Sequence, residues 1–263
     1  MASDDGDFTF LAPSNASLNL FPNNTQSKFA IKTAQPINLD KYEVALTDIQ
    51  YPRTWKNVPD CEITLRMTSF SEVLRLKIEG GHYQNIQTLM QLIDSMLDGT
   101  KKLLEARDQP SIGINLRDAL RIELNTIRMR VVLSVRVNDL VIHLPQQLAD
   151  ILGFDKTELG QGVHVGRYRP DIDRGMTALF LYTNFVQNCL VGDALVPLLH
   201  VIPITNGING TSLHKEFLHP CYVGAINVVT DILEFDLRRD DGTSVSFESG
   251  KVIASLHFRR VSP

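Results

Sequence analysis

The chain has 263 residues, 43% of them hydrophobic, with 26 basic against 30 acidic residues and a formal net charge of −4. That length can bury a sizeable core and suits one large β domain or two small ones. The two signs of charge are scattered, so no basic surface for nucleic acid or for an anionic membrane is indicated, and no apolar run reaches the roughly 18 residues of a membrane span.

Three cysteines, Cys61, Cys189 and Cys221, cannot complete a disulfide set, and their spacing fits neither a CxxC pair nor a zinc knuckle. Synthesis in a reducing compartment is expected. The opening MASDDGDFTF has neither the basic nor the apolar region of a signal peptide, so the protein is expected not to be secreted. The triplets at Asn15, Asn23 and Asn209 that fit the glycosylation pattern then read as turn chemistry.

Residues 1–7 read as a flexible tail. Strand-like pieces follow at Phe8 to Leu11 and Ser27 to Lys32, separated by the loop-forming FPNNTQ. In Lys41 to Tyr51, Tyr42, Val44 and Leu46 share one face and Ala45, Thr47 and Ile49 the other, which marks a central strand ended by Pro52. Glu62 to Met67 and Val73 to Ile78 are two more strands.

From Asn85 the period changes. Ile86, Leu89, Met90, Ile93, Met96 and Leu97 fall at helical spacing, with Asn85 as N-cap and Asp98-Gly99 as the stop. This amphipathic helix is expected to lay its stripe on the edge of a β-sandwich. Arg128 to Val137 gives the cleanest alternation, with Met129, Val131, Leu133, Val135 and Val137 inward. Asn138-Asp139 reads as a hairpin turn into Leu140 to Leu144. The arginines facing outward read as a solvated sheet face.

A short helix is expected at Gln146 to Leu152, with Gly153 as its C-cap. The glycine-bearing stretch Lys156 to Gly175, which contains RYRPDIDR, reads as a long loop. Met176 to Thr183 and Pro197 to Ile204 read as buried strands, and Thr205 to Gly210 as a turn-rich loop. In Asp231 to Arg260, Leu233, Phe235 and Leu237 alternate with charged residues. Asp240-Asp241-Gly242 turns the chain, and Val252, Ala254, Leu256 and Phe258 alternate again, a pattern resembling a hairpin.

No repeat and no linker rich in Pro, Ser or Gly divides the sequence. Strand after strand with one or two short inserted helices points to an all-β chain, a jelly roll or related Greek-key sandwich of roughly eight strands, taken as one single jelly-roll β-sandwich domain over residues 8–263.

No constellation carries chemistry. His214, His219 and Cys221 approach metal-ligand spacing but lack the fourth ligand of a structural zinc site. Cys189 or Cys221 as a nucleophile is weaker than the reading as an unreactive thiol. There is no GxSxG elbow, P-loop or GxGxxG. Asp193, after Gly192, is the one carboxylate that stands out, and turn capping explains it as well. The chain is expected to be a binding or assembly protein rather than an enzyme, with no cofactor.

Several stretches go further. FLAPSNASLNLFPNNTQSKFAIKTAQPINLDKYEVALTDIQYPRTW, GGHYQNIQTLMQLID, LADILGF, LYTNFVQNCLVGDALVPLLHVIP and LEFDLRRDDGTSVSFESGKVIASLHFRR resemble, in this order, capsid proteins encoded by Maverick (Polinton) transposable elements and the related adintoviruses. The likeness runs from about residue 10 to 260. His200, where the family pattern suggests arginine, and Cys189 depart from it.

The resemblance implies a virion protein, made in the host cell cytoplasm or nucleus, of one of two jelly-roll kinds. Two jelly rolls of roughly 150 to 200 residues each exceed this length, so it implies the minor capsid, or penton, protein. That protein forms a homopentamer at the icosahedral five-fold vertices, beside a major capsid protein of double jelly-roll type. A five-fold ring needs a heterologous interface. The candidate subunit contacts are Arg167, Tyr168 and Arg169 within the 160–175 stretch, Arg259 and Arg260 at the last strand, the 205–220 stretch and the N-terminal tail. The alternative is a ligand- or glycan-binding sandwich with Tyr168 and Phe217 as sugar platforms.

Overall fold

A computed structural model describes residues 6–67, 73–106, 116–204 and 212–261. The chain opens with β1 (Phe8–Pro13), β2 (Lys28–Asn38) and β3 (Tyr42–Pro52). It continues through β4 (Cys61–Met67), β5 (Val73–Ile78), α1 (Ile86–Ala106), α2 (Leu116–Ala119), β6 (Leu120–Asn125) and β7 (Arg130–Val135). Then come β8 (Leu140–His143), α3 (Gln146–Leu152), β9 (Glu158–Leu159) and β10 (Gly162–Val165). The remaining strands are β11 (Ala178–Thr183), β12 (Cys189–Val191), β13 (Ala194–Val196), β14 (Leu198–Pro203), β15 (Ser212–Glu216), β16 (Val223–Gly224), β17 (Val229–Arg239) and β18 (Ile253–Arg260).

These elements divide into two compact units, Met1–Trp55 with Met176–Pro263, and Lys56–Gly175. The single domain expected over residues 8–263 is therefore interrupted by an insertion between β3 and β11. No linker betrays it, because an inserted unit leaves and rejoins its host by short connections. Each unit has its own apolar cluster, and among the described residues no buried residue belongs to both.

The first unit is a jelly roll by its connections. Lettering β1, β2, β3, β11, β14, β15, β17 and β18 from B to I, one sheet runs β1-β18-β3-β15, or B-I-D-G, and the other β2-β17-β11-β14, or C-H-E-F. The inner faces supply the core: Val44, Leu46, Leu256 and Phe258 from one sheet, Phe29, Leu181, Leu233 and Phe235 from the other, all buried. Aromatic rings link the two sheets. Phe8 stacks on Phe258 at 4.6 Å, Phe185 lies 6.0 Å from Phe258 and 5.7 Å from Phe235, and Phe235 stacks on Phe29 at 4.9 Å.

The closing pair is not a hairpin. β17 pairs with β2 and β11, whereas β18 pairs with β1 and β3, so the two strands face each other across the core. Gly242, at φ +80°, does make the expected turn, and its N–H donates to the Arg239 carbonyl at 3.0 Å. The residues after it cross between sheets and bury Val245 and Phe247, the latter bridging to Trp55. Just after the turn the chain does return briefly beside β17, with Arg238 bridged to Ser244 and the Arg239 N–H bonded to the Thr243 carbonyl at 2.8 Å, before it crosses.

In the inserted unit β5-β4-β8-β9 form one sheet and β10-β7-β6 another. The turn expected at Asn138-Asp139 is present as a Leu140 N–H bond to the Val137 carbonyl at 3.3 Å, but β7 and β8 part into different sheets. Asn85 caps α1 through its Oδ1, which accepts from the Thr88 N–H at 2.9 Å. The helix runs past Gly99 to Ala106, since one interior glycine costs only about 1 kcal/mol relative to alanine. Its stripe, Ile86, Leu89, Met90, Ile93 and Leu97, packs into the inserted unit's own core and not on the sandwich edge.

The 156–175 stretch is also structured. It forms β9 and β10 and is tied to α3 by the Tyr168 N–H bond to the Gly153 carbonyl and the Asp171 N–H bond to the Ile151 carbonyl, both 2.9 Å. Of the expected tail, residues 1–5 lie outside the described residues, while Gly6 and Asp7 are anchored: Tyr42 donates its hydroxyl to the Gly6 carbonyl at 3.2 Å, and Arg260 its N–H to Asp7 Oδ1 at 3.0 Å. The Thr205 to Gly210 loop lies outside the described residues.

Candidate functional site

The five candidate contact residues fall in different units. Arg167, Tyr168 and Arg169 are exposed in the inserted unit, directly after β10. Arg167 lies 3.5 Å from Asp155 and its guanidinium 5.5 Å from the Tyr168 ring centre. Arg259 and Arg260 are exposed at the end of β18 in the sandwich unit.

Arg259 already has partners in its own chain. It sits opposite Glu43 in the β18–β3 register and donates two hydrogen bonds to Glu43 Oε2, at 3.0 and 2.8 Å. Its guanidinium also covers the Tyr222 ring at 3.6 Å, and the Tyr222 hydroxyl is 2.9 Å from His257 Nδ1. This cluster braces the segment 217–224 against the outer face of β3, whose Ala45 is completely covered. An assembly contact at Arg259 has to compete with that bracing.

Most sheet edges carry the charges or prolines that discourage strand addition: Pro13 on β1, Lys32 and Pro36 on β2, Pro203 on β14, Lys215 on β15, Arg75 and Lys77 on β5. Two are bare. β10 presents exposed Val163 and Val165, and the β12–β13 hairpin presents Leu190 and Leu195, directly opposite in register and 76% and 62% exposed. Leu218, 81% exposed, adds an apolar side chain on the segment after β15.

Among the described residues, a large open cleft of about 1130 Å³ lies on the outer face of the C-H-E-F sheet. Its floor is Lys28 and Ala30 of β2, Glu234, Asp236 and Arg238 of β17, and Tyr182 with Asn184 at β11; Leu20 to Asn24 form one wall and the β12–β13 hairpin the other. The sequence shows Glu234, Asp236 and Arg238 facing away from the core. It does not show the walls, because neither segment has a periodicity that places it over the sheet. Asp193 lines this cleft.

Among the described residues no group of three His, Cys, Asp or Glu side chains could hold a metal ion. His214 lies on β15, 3.6 Å from Asp48. Cys189 is half-buried in β12, and Cys221 is exposed. Burial, and then the neighbouring Asp60, push the Cys61 thiol above its ordinary pKa, which disfavours its reactive thiolate. Phe217 is half-buried, edge-on to His200 at 4.2 Å, and is no free platform for a sugar. Among the described residues no helix is long and apolar enough to cross a membrane.

No protein-family model matches the chain, and no curated protein matches it. Among solved structures, the crystal structure of the selenomethionine-labelled mavirus penton protein is similar, at 12% sequence identity and a TM-score of 0.48, over 97% of this chain and 99% of that one.

Proposed function

We propose that the chain is a non-enzymatic structural protein of a virus-like capsid: the single jelly-roll minor capsid, or penton, protein of a Maverick/Polinton-type particle. It forms a homopentamer at the five-fold vertices and meets a double jelly-roll major capsid protein. The observation that carries this reading is the B-I-D-G over C-H-E-F arrangement, to which three of the five stretches that resemble capsid proteins of those elements contribute strands; the other two lie in the inserted unit.

Fold alone does not give function, but two further features suit assembly. Leu190, Leu195 and Leu218 are large apolar side chains exposed on the sandwich unit of the isolated chain. They lie on different segments, as a head-to-tail contact requires, since such a contact joins two unlike surfaces and closes into a ring when the rotation allows. Light scattering on the purified chain together with negative-stain images tests the reading. Five-membered rings are the expected result; a strict monomer at high concentration, or rings of another symmetry, overturns it.

A further inference from the structure

The cleft over the C-H-E-F sheet has a chemistry of its own. Its lining holds five carboxylates, Asp193, Glu234, Asp236, Asp240 and Asp241, against two cations, Lys28 and Arg238. Arg238 is committed within the floor: it donates to Asp236 Oδ2 from Nε at 3.0 Å and from a terminal nitrogen at 2.8 Å, and lies 5.4 Å from the Tyr182 ring centre.

The other oxygen of the same carboxylate, Asp236 Oδ1, is buried and accepts no hydrogen bond. A buried acceptor left unpaired is costly, and it marks a floor carboxylate that Arg238 satisfies on one oxygen only. Asp193, Glu234 and Asp240 form no ion pair among the described residues. Leu20, Phe21, Val191 and Val196 make the walls apolar.

From this geometry we propose that the cleft binds an extended Lys- or Arg-bearing peptide arm of a partner protein. An extended segment sends successive side chains to opposite sides, so its cations can reach the carboxylates of the floor while its apolar residues rest on the walls. Charge complementarity selects this occupant. The excess of carboxylates repels a nucleic-acid backbone. The Tyr182 face on which a sugar could stack in the floor is taken by Arg238. The cleft is also larger and more open than a small ion requires. The proposal does not depend on the capsid reading.

The test uses the full chain and a fluorescently labelled heptapeptide, acetyl-Lys-Val-Lys-Leu-Arg-Val-Lys-amide, followed by anisotropy, with a second peptide carrying Gln at every cationic position. The cationic peptide should bind saturably, more weakly as salt rises, and the Gln peptide should not. Glu234→Gln with Asp240→Asn should weaken binding about tenfold, the loss of two ion pairs. Asp40→Asn with Glu216→Gln removes equal charge from the same unit outside the cleft and should change affinity less than about twofold.

Asp193→Asn provides a separate cleft variant on the hairpin turn, and circular dichroism verifies the fold of each protein. Equal loss in the control variant, equal binding of the Gln peptide, or no saturable binding overturns the proposal. Glycan-array binding that is lost in the cleft variants while the peptide fails to bind overturns it in favour of a sugar site. Monomeric protein that still binds the peptide would sink the capsid reading and leave this one standing.

Discussion

His200 lies half-buried in β14 with its ring edge-on to Phe217, the centroids 4.2 Å apart. Burial holds its imidazole below the ordinary pKa of 6.5, because the charged form would lose its hydration there. In the unfolded chain the same group protonates near 6.5. Between the two pKa values the unfolded state therefore binds more protons, and linkage makes stability fall as pH drops below about 6.5 through that window. The expected outcome is a urea midpoint that decreases from pH 7.5 to pH 5.5, with a shallower decrease in His200→Gln. Identical pH slopes for the two proteins would exclude His200 as the source. At this position the likeness to the capsid family suggests arginine, and the half-buried setting against an aromatic ring shows what this chain keeps there instead: a neutral ring, not a permanent charge.

Among the elements, α3 shows how one backbone position secures a surface. It ends at Gly153, in the left-handed conformation with φ +83°, whose N–H reaches back to the carbonyl of Asp150 at 3.1 Å. The next strap packs so closely that a Cβ on Gly153 would meet the backbone oxygen of Tyr168. Gly153→Ala therefore combines left-handed strain of about 1–3 kcal/mol with displacement of the Arg167-Tyr168-Arg169 strap. Lower thermal stability of the inserted unit and faster tryptic cleavage after Arg167 are expected, the Arg169–Pro170 bond being resistant; unchanged digestion would mean the strap is held by other contacts.

The glycine and the short apolar helix before it were readable from sequence, because capping chemistry is local. So were β5, read with the same bounds, and the inward faces of β17 and β18. Which strand lies beside which was not readable, since alternation gives a strand's face and not its neighbour. That is why β17 and β18 looked like a hairpin while Leu237 and Phe258 belong to opposite sheets. The cleft escaped for a related reason: Glu234, Asp236 and Arg238 read as solvated until segments distant in sequence, Leu20 to Asn24 and the β12–β13 hairpin, are placed around them.

The chain as a whole is a jelly roll carrying an inserted unit, and each part is organised around separate buried side chains. Leu148 and Leu89 are fully buried in the core of residues 56–175, and Leu233 and Leu181 in the core of the sandwich. Cooperativity in unfolding comes from a shared core, and among the described residues no buried apolar residue is common to the two clusters. Calorimetry should therefore resolve two transitions. Leu148→Ala should cost about 2–5 kcal/mol and lower one of them by roughly 5–15 °C for a unit of this size, leaving the other in place. Leu233→Ala should do the reverse. A single transition that both substitutions shift equally would mean that the two cores unfold as one, and the 56–175 insertion would then have to be treated as an elaboration of the sandwich rather than a unit with a stability of its own.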